Sequence, residues 1–363
     1  MSMPKAIDQE TIQEMFPTLA EMTYLNNAAT GIPPMSCITA MKEYLDKRLK
    51  ALGDIEETIE NLTEIRELLA DLLGGTRKQY AFTPNTTSGL NAFAHAIEYP
   101  EGSNIVLCDL EFPANYVPWQ NVCRLYGAEL RVVKSENGAA PTSAFREMVD
   151  DNTRVLAISQ VQFESGFRSD LQALSKVVHD VGGYLVADII QAAGWAETNL
   201  VKDDVDFATG QAAKWLLGPI GAGYMYVSEK IIDELTPRYL GWWGVQEFQE
   251  YRYFERKPFG DAKKFQVGSP AMIAYVGFLE TLRTFAQISC KARESAALEN
   301  ADYLRKKLAE NEIDFYTFES PHRSATVSCR PDDVDELIKS LTKERIICSV
   351  RNNRLRVSPH FYN

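Results

Sequence analysis

Lys214 lies in DFATGQAAKWLLGPIGAGYMYV, between a strand-like DFA and a glycine run that leads into a second apolar strand. A lysine held there loses water around its ammonium, which lowers its pKa and frees a lone pair for attack on a carbonyl carbon. That is what Schiff-base chemistry needs. Twenty-six residues earlier, the apolar run GGYLVADIIQAAG carries Asp188, a carboxylate at the expected carboxyl end of a central strand, where open α/β sheets bind ligands. Together the two suit an aldehyde-bearing pyridine: the amine holds the aldehyde, and the acid keeps the ring nitrogen protonated and electron-withdrawing. Taken alone, they are equally a solvated lysine and a helix-capping aspartate.

Other segments offer partners for that chemistry. FTPNTTSGLNAFAHAI runs from a short strand into a helix, so Thr86, Thr87 and Ser88 fall at a helix amino end, where N–H groups bind phosphate or are simply capped. EFPANYVPW sets Phe112 just beyond the strand NIVLCD, at the sheet edge expected for Asp188, where its ring stacks on a planar cofactor or packs in the core. In RLRVSPHFYN, the guanidinium of Arg356 suits a substrate carboxylate, with Arg351 and Arg354 as alternatives. GPIGAG precedes a strand and not a helix, so it is a tight turn and not a nucleotide fingerprint. Trp242 and Trp243, with Arg238 nearby, are candidates for a pocket wall or a subunit contact, and Asn27 for the substrate side or a strand cap.

The elements that must position these residues are legible in the pattern. Short β-rich runs at 80–82, 104–109, 129–134, 154–161, 184–188, 206–208 and 223–227 alternate with helical patterns, which predicts a mainly parallel seven-stranded sheet covered by helices. Before it, Ile59, Leu62, Ile65, Leu69 and Leu72 share the face of a docking helix that stops at Gly74 and Gly75. After residue 269 come a long apolar helix and a second helical stretch. SATVSCR, the helix-like DDVDELIKSLTKE, and the strands IICSVR and RLRVS, turning at Asn352 and Asn353, then describe a small α+β unit. The expected division is a large cofactor-binding domain over 20–285 and a small domain over 286–363 together with 1–19.

Composition bounds the function. The chain of 363 residues is 45% hydrophobic and 24% charged, the proportions of an ordinary globular protein. A net charge of −12 opposes binding to a phosphate backbone, so nucleic acid is not an expected partner. The start, MSMPKAIDQETIQEMF, lacks an apolar core of signal-peptide length and no stretch is apolar enough to span a bilayer, so a cytoplasmic protein without a membrane partner is expected. Six scattered cysteines and four histidines show neither zinc-ligand nor disulfide spacing, and no metal is expected.

Taken in order, YLNNAATG, FTPNTTSGLN, DLEFPANYVPW, VADIIQAAG, the lysine segment, FQVGSP and LRVSPHFYN resemble the class V aminotransferase and cysteine desulfurase family, pyridoxal-phosphate enzymes of fold type I, over residues 22–363. The resemblance implies pyridoxal 5′-phosphate as cofactor. It places the Schiff base and the Cα proton on Lys214, the pyridinium partner on Asp188, a hydrogen bond to the ring hydroxyl on Gln191, and ring stacking on Phe112, where many members have a histidine. Thr86, Thr87 and Gln211 would hold the phosphate, Ala213 replaces a frequent phosphate-touching histidine, and Ser269 would reach the phosphate of a neighbouring subunit, implying a homodimer with shared sites. Arg356 would bind the substrate carboxylate. The desulfurase branch also needs a thiol on a loop before the arginine strand; here ICSVRNNRLRVS closes directly into a hairpin, and Cys348 is expected to be a packed thiol. GFRSDL, GWWGVQE and VSPHFYN look closer to the aminotransferase-like and isopenicillin N epimerase-like members. The expected activity is transamination of a small amino acid, with desulfurase or lyase chemistry, epimerisation, or non-catalytic cofactor binding as alternatives.

Overall fold

In the computed structural model, which describes residues 8–252 and 255–363, the seven expected strands form one sheet. After a short pairing strand β1 (Thr23–Tyr24), they are β2 (Tyr80–Thr83), β3 (Asn104–Cys108), β4 (Glu129–Val133), β5 (Thr153–Ser159), β6 (Tyr184–Asp188), β7 (Phe207–Gln211) and β8 (Gly223–Val227), in the spatial order β2-β8-β7-β6-β5-β3-β4. Neighbours pair in parallel from β7 through β4, whereas β8 is antiparallel to both β7 and β2. Two reversals leave β2 running with the parallel set. The chain therefore leaves β2, β3, β5, β6 and β7 at one common edge, where an open α/β sheet collects ligands.

Side chains alternate across these strands and build two apolar layers. Val106, Leu156, Ile158, Leu185 and Ala187 face a cluster with Leu62, Ile65 and Leu69, whereas Ile105, Leu107, Val155, Ala157 and Val186 face Leu90, Phe93 and Trp119. Helices α1 (Gln9–Met15), α2 (Met35–Leu49) and α3 (Ile55–Leu73) precede the sheet. Helices α4 (Thr86–Ala94), α5 (Val117–Tyr126), α6 (Thr142–Met148) and α7 (Leu171–His179) connect its strands, and α8 (Met272–Ala286) and α9 (Cys290–Glu310) follow it. The docking helix is α3, capped by the Asp54 carboxylate and ended at Gly74. No described helix is long and apolar enough to cross a membrane.

Beyond α9, strands β9 (Asp314–Phe315) and β10 (Val327–Arg330), helix α10 (Val334–Lys343), and strands β11 (Ile346–Ile347), β12 (Ser349–Arg351) and β13 (Arg354–Val357) complete the chain. An antiparallel sheet is ordered β12-β13-β10-β9, and Leu355, Val357, Val327 and Cys329 pack with Ala301 and Leu308 of α9. Asn352 and Asn353 both adopt positive φ (45° and 59°), which is the turn that a two-residue hairpin demands. One expectation is corrected: IICSVR is not a single strand. It breaks at Cys348, because Ile346–Ile347 pairs in parallel with Thr23–Tyr24 while Ser349–Arg351 pairs with β13.

A histidine at the end of α7 ties this helix to the sheet. His179 Nε2 lies 2.7 Å from Asp206 Oδ2, and the same carboxylate oxygen accepts Leu185 N–H at 2.7 Å. The Asp206 hydrogen bond raises the His179 pKa. A folded pKa above the unfolded value of about 6.5 means the stabilisation is complete below that pH and is lost as pH rises through the folded pKa. The Tm deficit of His179→Asn should therefore be larger near pH 6 than near pH 9, by the usual histidine titration range. Equal deficits at both pH values would show that the ion pair contributes nothing.

Candidate active site

The lysine loop is fixed from both ends of the chain. Lys214 follows β7, and Leu217 turns the backbone with φ 53°. Gly31 donates its N–H to Ala213 O at 2.8 Å, and a Cβ at Gly31 would sit 2.1 Å from Lys214 O, so only glycine allows this approach. From the other end, His360 Nε2 donates to Trp215 O at 2.9 Å while its Nδ1 accepts Phe361 N–H at 2.8 Å. Burial pushes the His360 pKa down to about 3, so the ring stays neutral with this tautomer.

Asp188 ends β6 and is 2% exposed; its Oδ1 accepts Ile190 N–H at 2.9 Å. Burial raises its pKa, against the pull of Lys214, and the nearby carboxylate of Glu111 raises it further. Burial lowers the pKa of Lys214; Asp188 opposes this, and Arg356 and Arg351 reinforce it. The structure thus brings the amine and the acid into one low-dielectric site in which each senses the other. The Lys214 Nζ is 5.5 Å from the centroid of the Phe112 ring, which is 43% exposed and meets Phe163 edge-on at 5.2 Å.

Gln191 lies on the same side but is largely committed. Its Oε1 accepts Trp215 Nε1 at 2.7 Å and its Nε2 donates to Ala28 O at 3.0 Å, which leaves one amide hydrogen for a ligand. Thr86 and Thr87 part company at the start of α4. Thr86 is buried and its hydroxyl has no partner, whereas Thr87 is exposed and lines a cavity of about 800 Å³ with Ser88, Arg238 and Ser269. Lys214, Asp188, Phe112 and Arg356 do not line that cavity. Gln211 is half-buried at the end of β7, opposite Gly223, and Ala213 is buried.

The three arginines of the hairpin are separated by their partners. Arg354 is bound to Asp314 at 3.1 Å and lies over the Tyr316 ring at 3.9 Å, and Arg351 donates to Val350 O. Arg356, 1% exposed, donates from Nη1 to Phe163 O at 2.7 Å, while its Nε and Nη2 have no acceptor. Asn27 is a clamp: its Nδ2 donates to Ser358 O and its Oδ1 accepts the Tyr362 hydroxyl at 2.6 Å, which supports the strand-capping reading over a substrate contact. Trp243 is buried beside Phe248, and Trp242, 40% exposed, meets both rings.

Sequence reasoning overlooked Glu111, although it immediately precedes Phe112. It is 7% exposed, and its carboxylate accepts Ser159 N–H, Gln162 Nε2 and Asn115 Nδ2, each at 2.8 Å, and the Ser159 hydroxyl at 2.5 Å. Burial raises the Glu111 pKa, and these same donors oppose the rise. All six cysteines are free thiols with raised pKa, Cys348 to about 11, in each case chiefly through burial. Among the described residues, no group of three or more histidine, cysteine or acidic side chains is arranged to hold a metal ion.

Tested against pyridoxal phosphate, the residues fit. The unpaired buried hydroxyl of Thr86 at a helix start suits the phosphate, the exposed face of Phe112 beside Lys214 suits the ring, and the acceptor-less nitrogens of buried Arg356 suit a carboxylate.

Comparison with known proteins agrees. An uncharacterized aminotransferase of Bacillus subtilis, YcbU, is 25% identical over 98% of this chain and 94% of its own length. A probable cysteine desulfurase of Methanothermobacter thermautotrophicus is 28% identical over 74% of this chain and 68% of its own. The apo structure of a cysteine desulfurase from Thermococcus onnurineus NA1 superposes with a TM-score of 0.88 at 22% identity, over 99% of this chain and 95% of that one. Residues 23–350 match the family model described as aminotransferase class-V, and the chain belongs to that pyridoxal-phosphate-dependent family.

Proposed function

We propose that the protein is an aminotransferase that works at the Cα of a small amino acid. The observation that carries this reading is the pairing of Lys214 with Arg356: a half-buried amine with lowered pKa, and a buried guanidinium near enough to influence it that has two nitrogens without acceptors. When bound, pyridoxal phosphate supplies an electron-withdrawing ring conjugated to the substrate nitrogen, which acidifies the Cα–H bond. Lys214, lacking full solvation, would hold the cofactor and serve as the base for the proton at the substrate Cα. Asp188 would favour a proton at the ring nitrogen, Phe112 would lie against the ring, and Thr86, Thr87 and Gln211 would hold the phosphate end. Arg356 fixes the α-carboxylate. The exposed Ser269, on the rim of the cavity, suits a contact to the site of a second subunit.

A second reading is loss of a sulfur substituent, because most of the named relatives are cysteine desulfurases. Sulfur transfer through a protein thiol is opposed by the raised pKa of every cysteine, but elimination of sulfide requires no such thiol. Incubation of the cofactor-loaded protein with an amino acid and an oxo acid separates the readings. Transfer of the amino group supports transamination; sulfide with pyruvate, or racemisation, replaces it; and no Cα proton exchange in heavy water identifies a non-catalytic binder. In the same assay Arg356→Gln should raise KM by about 10- to 100-fold, the worth of a charged hydrogen-bonded contact.

A further inference from the structure

Glu111 lies in the turn three residues beyond β3, which β5 separates from the Asp188 strand, and is bonded as tightly as any group in the site. Its oxygens accept from four places: the end of β3 through the Cys108 thiol, the end of β5 through both N–H and hydroxyl of Ser159, the turn after β5 through Gln162, and the turn leading into α5 through Asn115. Asn115 is itself oriented, because its Oδ1 accepts Trp119 Nε1 at 3.0 Å. Every amide partner donates, which favours the ionised carboxylate against the burial that raises its pKa. Ser159 is the register partner of Asp188 on the adjacent strand. With strands about 4.8 Å apart, two carboxylates share one water-poor sheet edge.

The geometry points to Glu111 as a positioning residue beside Asp188: a second negative charge on the same sheet edge that favours a proton shared between Asp188 and the cofactor ring nitrogen, while its bonds hold the turn that presents Phe112. This rests on the cofactor reading given above. The groups facing the pair are Lys214 and Tyr224 beside Asp188, and Cys108 beside Glu111, with Sγ at 3.6 Å. A second negative charge near Asp188 favours the protonated ring, as neighbouring charges shift acids by about one to three pKa units.

Two variants test it. Glu111→Gln removes the charge but must set its NH2 against either Ser159 N–H or the locked Asn115 amide, so it also strains the turn. The double variant E111Q/N115D lets the new amide at position 111 donate to the new carboxylate at position 115, which still accepts Trp119 Nε1; this restores every bond and returns the charge one side chain away. The readout is the nitrogen resonance of ¹⁵N-labelled pyridoxal phosphate bound to each protein, titrated with pH. In Glu111→Gln the ring nitrogen should lose its proton at least about one pH unit lower than in the wild type, and the double variant should move the titration back. A purely structural glutamate would change Tm in Glu111→Gln and leave the titrations superimposed, which overturns the inference, as does a double variant that fails to fold. If the wild type takes up no cofactor, the cofactor reading fails first and takes this one with it.

Discussion

Lys214→Ala is expected to lower turnover by about 10³-fold or more, because it removes both the amine that anchors the cofactor and the base that serves Cα. The side chain is half-buried beside Phe112, and its pKa is lowered by desolvation and by Arg356 and Arg351. The variant should still fold, since the backbone around position 214 is held by Gly31 and His360, not by the lysine side chain. Borohydride treatment of the loaded wild type should add the cofactor's mass to the peptide containing residue 214 and to no other. Activity within tenfold of wild type, or label on a different lysine, would remove the chemical basis of the proposed function.

Asp188→Asn should separate activity from stability. Asn keeps the shape and the acceptor for Ile190 N–H but cannot hold a positive charge at the ring nitrogen, so turnover should fall by about 10²- to 10³-fold, the cost of losing one preorganised electrostatic group. Stability should move the other way. Burial raises the Asp188 pKa above its unfolded value, so ionising it in the folded apo-protein costs stability once pH exceeds the unfolded value of about 4. The neutral variant escapes that cost, and its apo Tm at neutral pH should equal or exceed that of the wild type. A lower Tm together with intact turnover would mean that Asp188 is a structural cap.

The sheet was readable because each strand is a short β-rich run bounded by turn residues, and all seven runs pair as expected. That Asp188 and Lys214 fall at one edge of the sheet was readable because strand ends in an α/β sheet converge there. What escaped were features set by distant partners. Cys348 marks a strand break because the mate of Ile346–Ile347 is Thr23–Tyr24, at the opposite end of the chain. The resemblance points to Arg356, but the residues alone leave Arg351 and Arg354 open, and only the fold shows Asp314 and Tyr316 engaging Arg354. Asn27 is occupied by Ser358 and Tyr362, more than 330 residues away. Glu111 resembles a surface acid until its donors at 115, 159 and 162 are brought around it.

The approach of Gly31 and His360 to either side of the lysine loop has a temporal meaning. The loop takes its final form only when a segment synthesised first and a segment synthesised some 330 residues later meet around it. Without the residue-360 segment, the Trp215 carbonyl beside Lys214 would lose its His360 donor. The geometry of the lysine loop is thus a long-range property of the fold and not of the segment that carries Lys214.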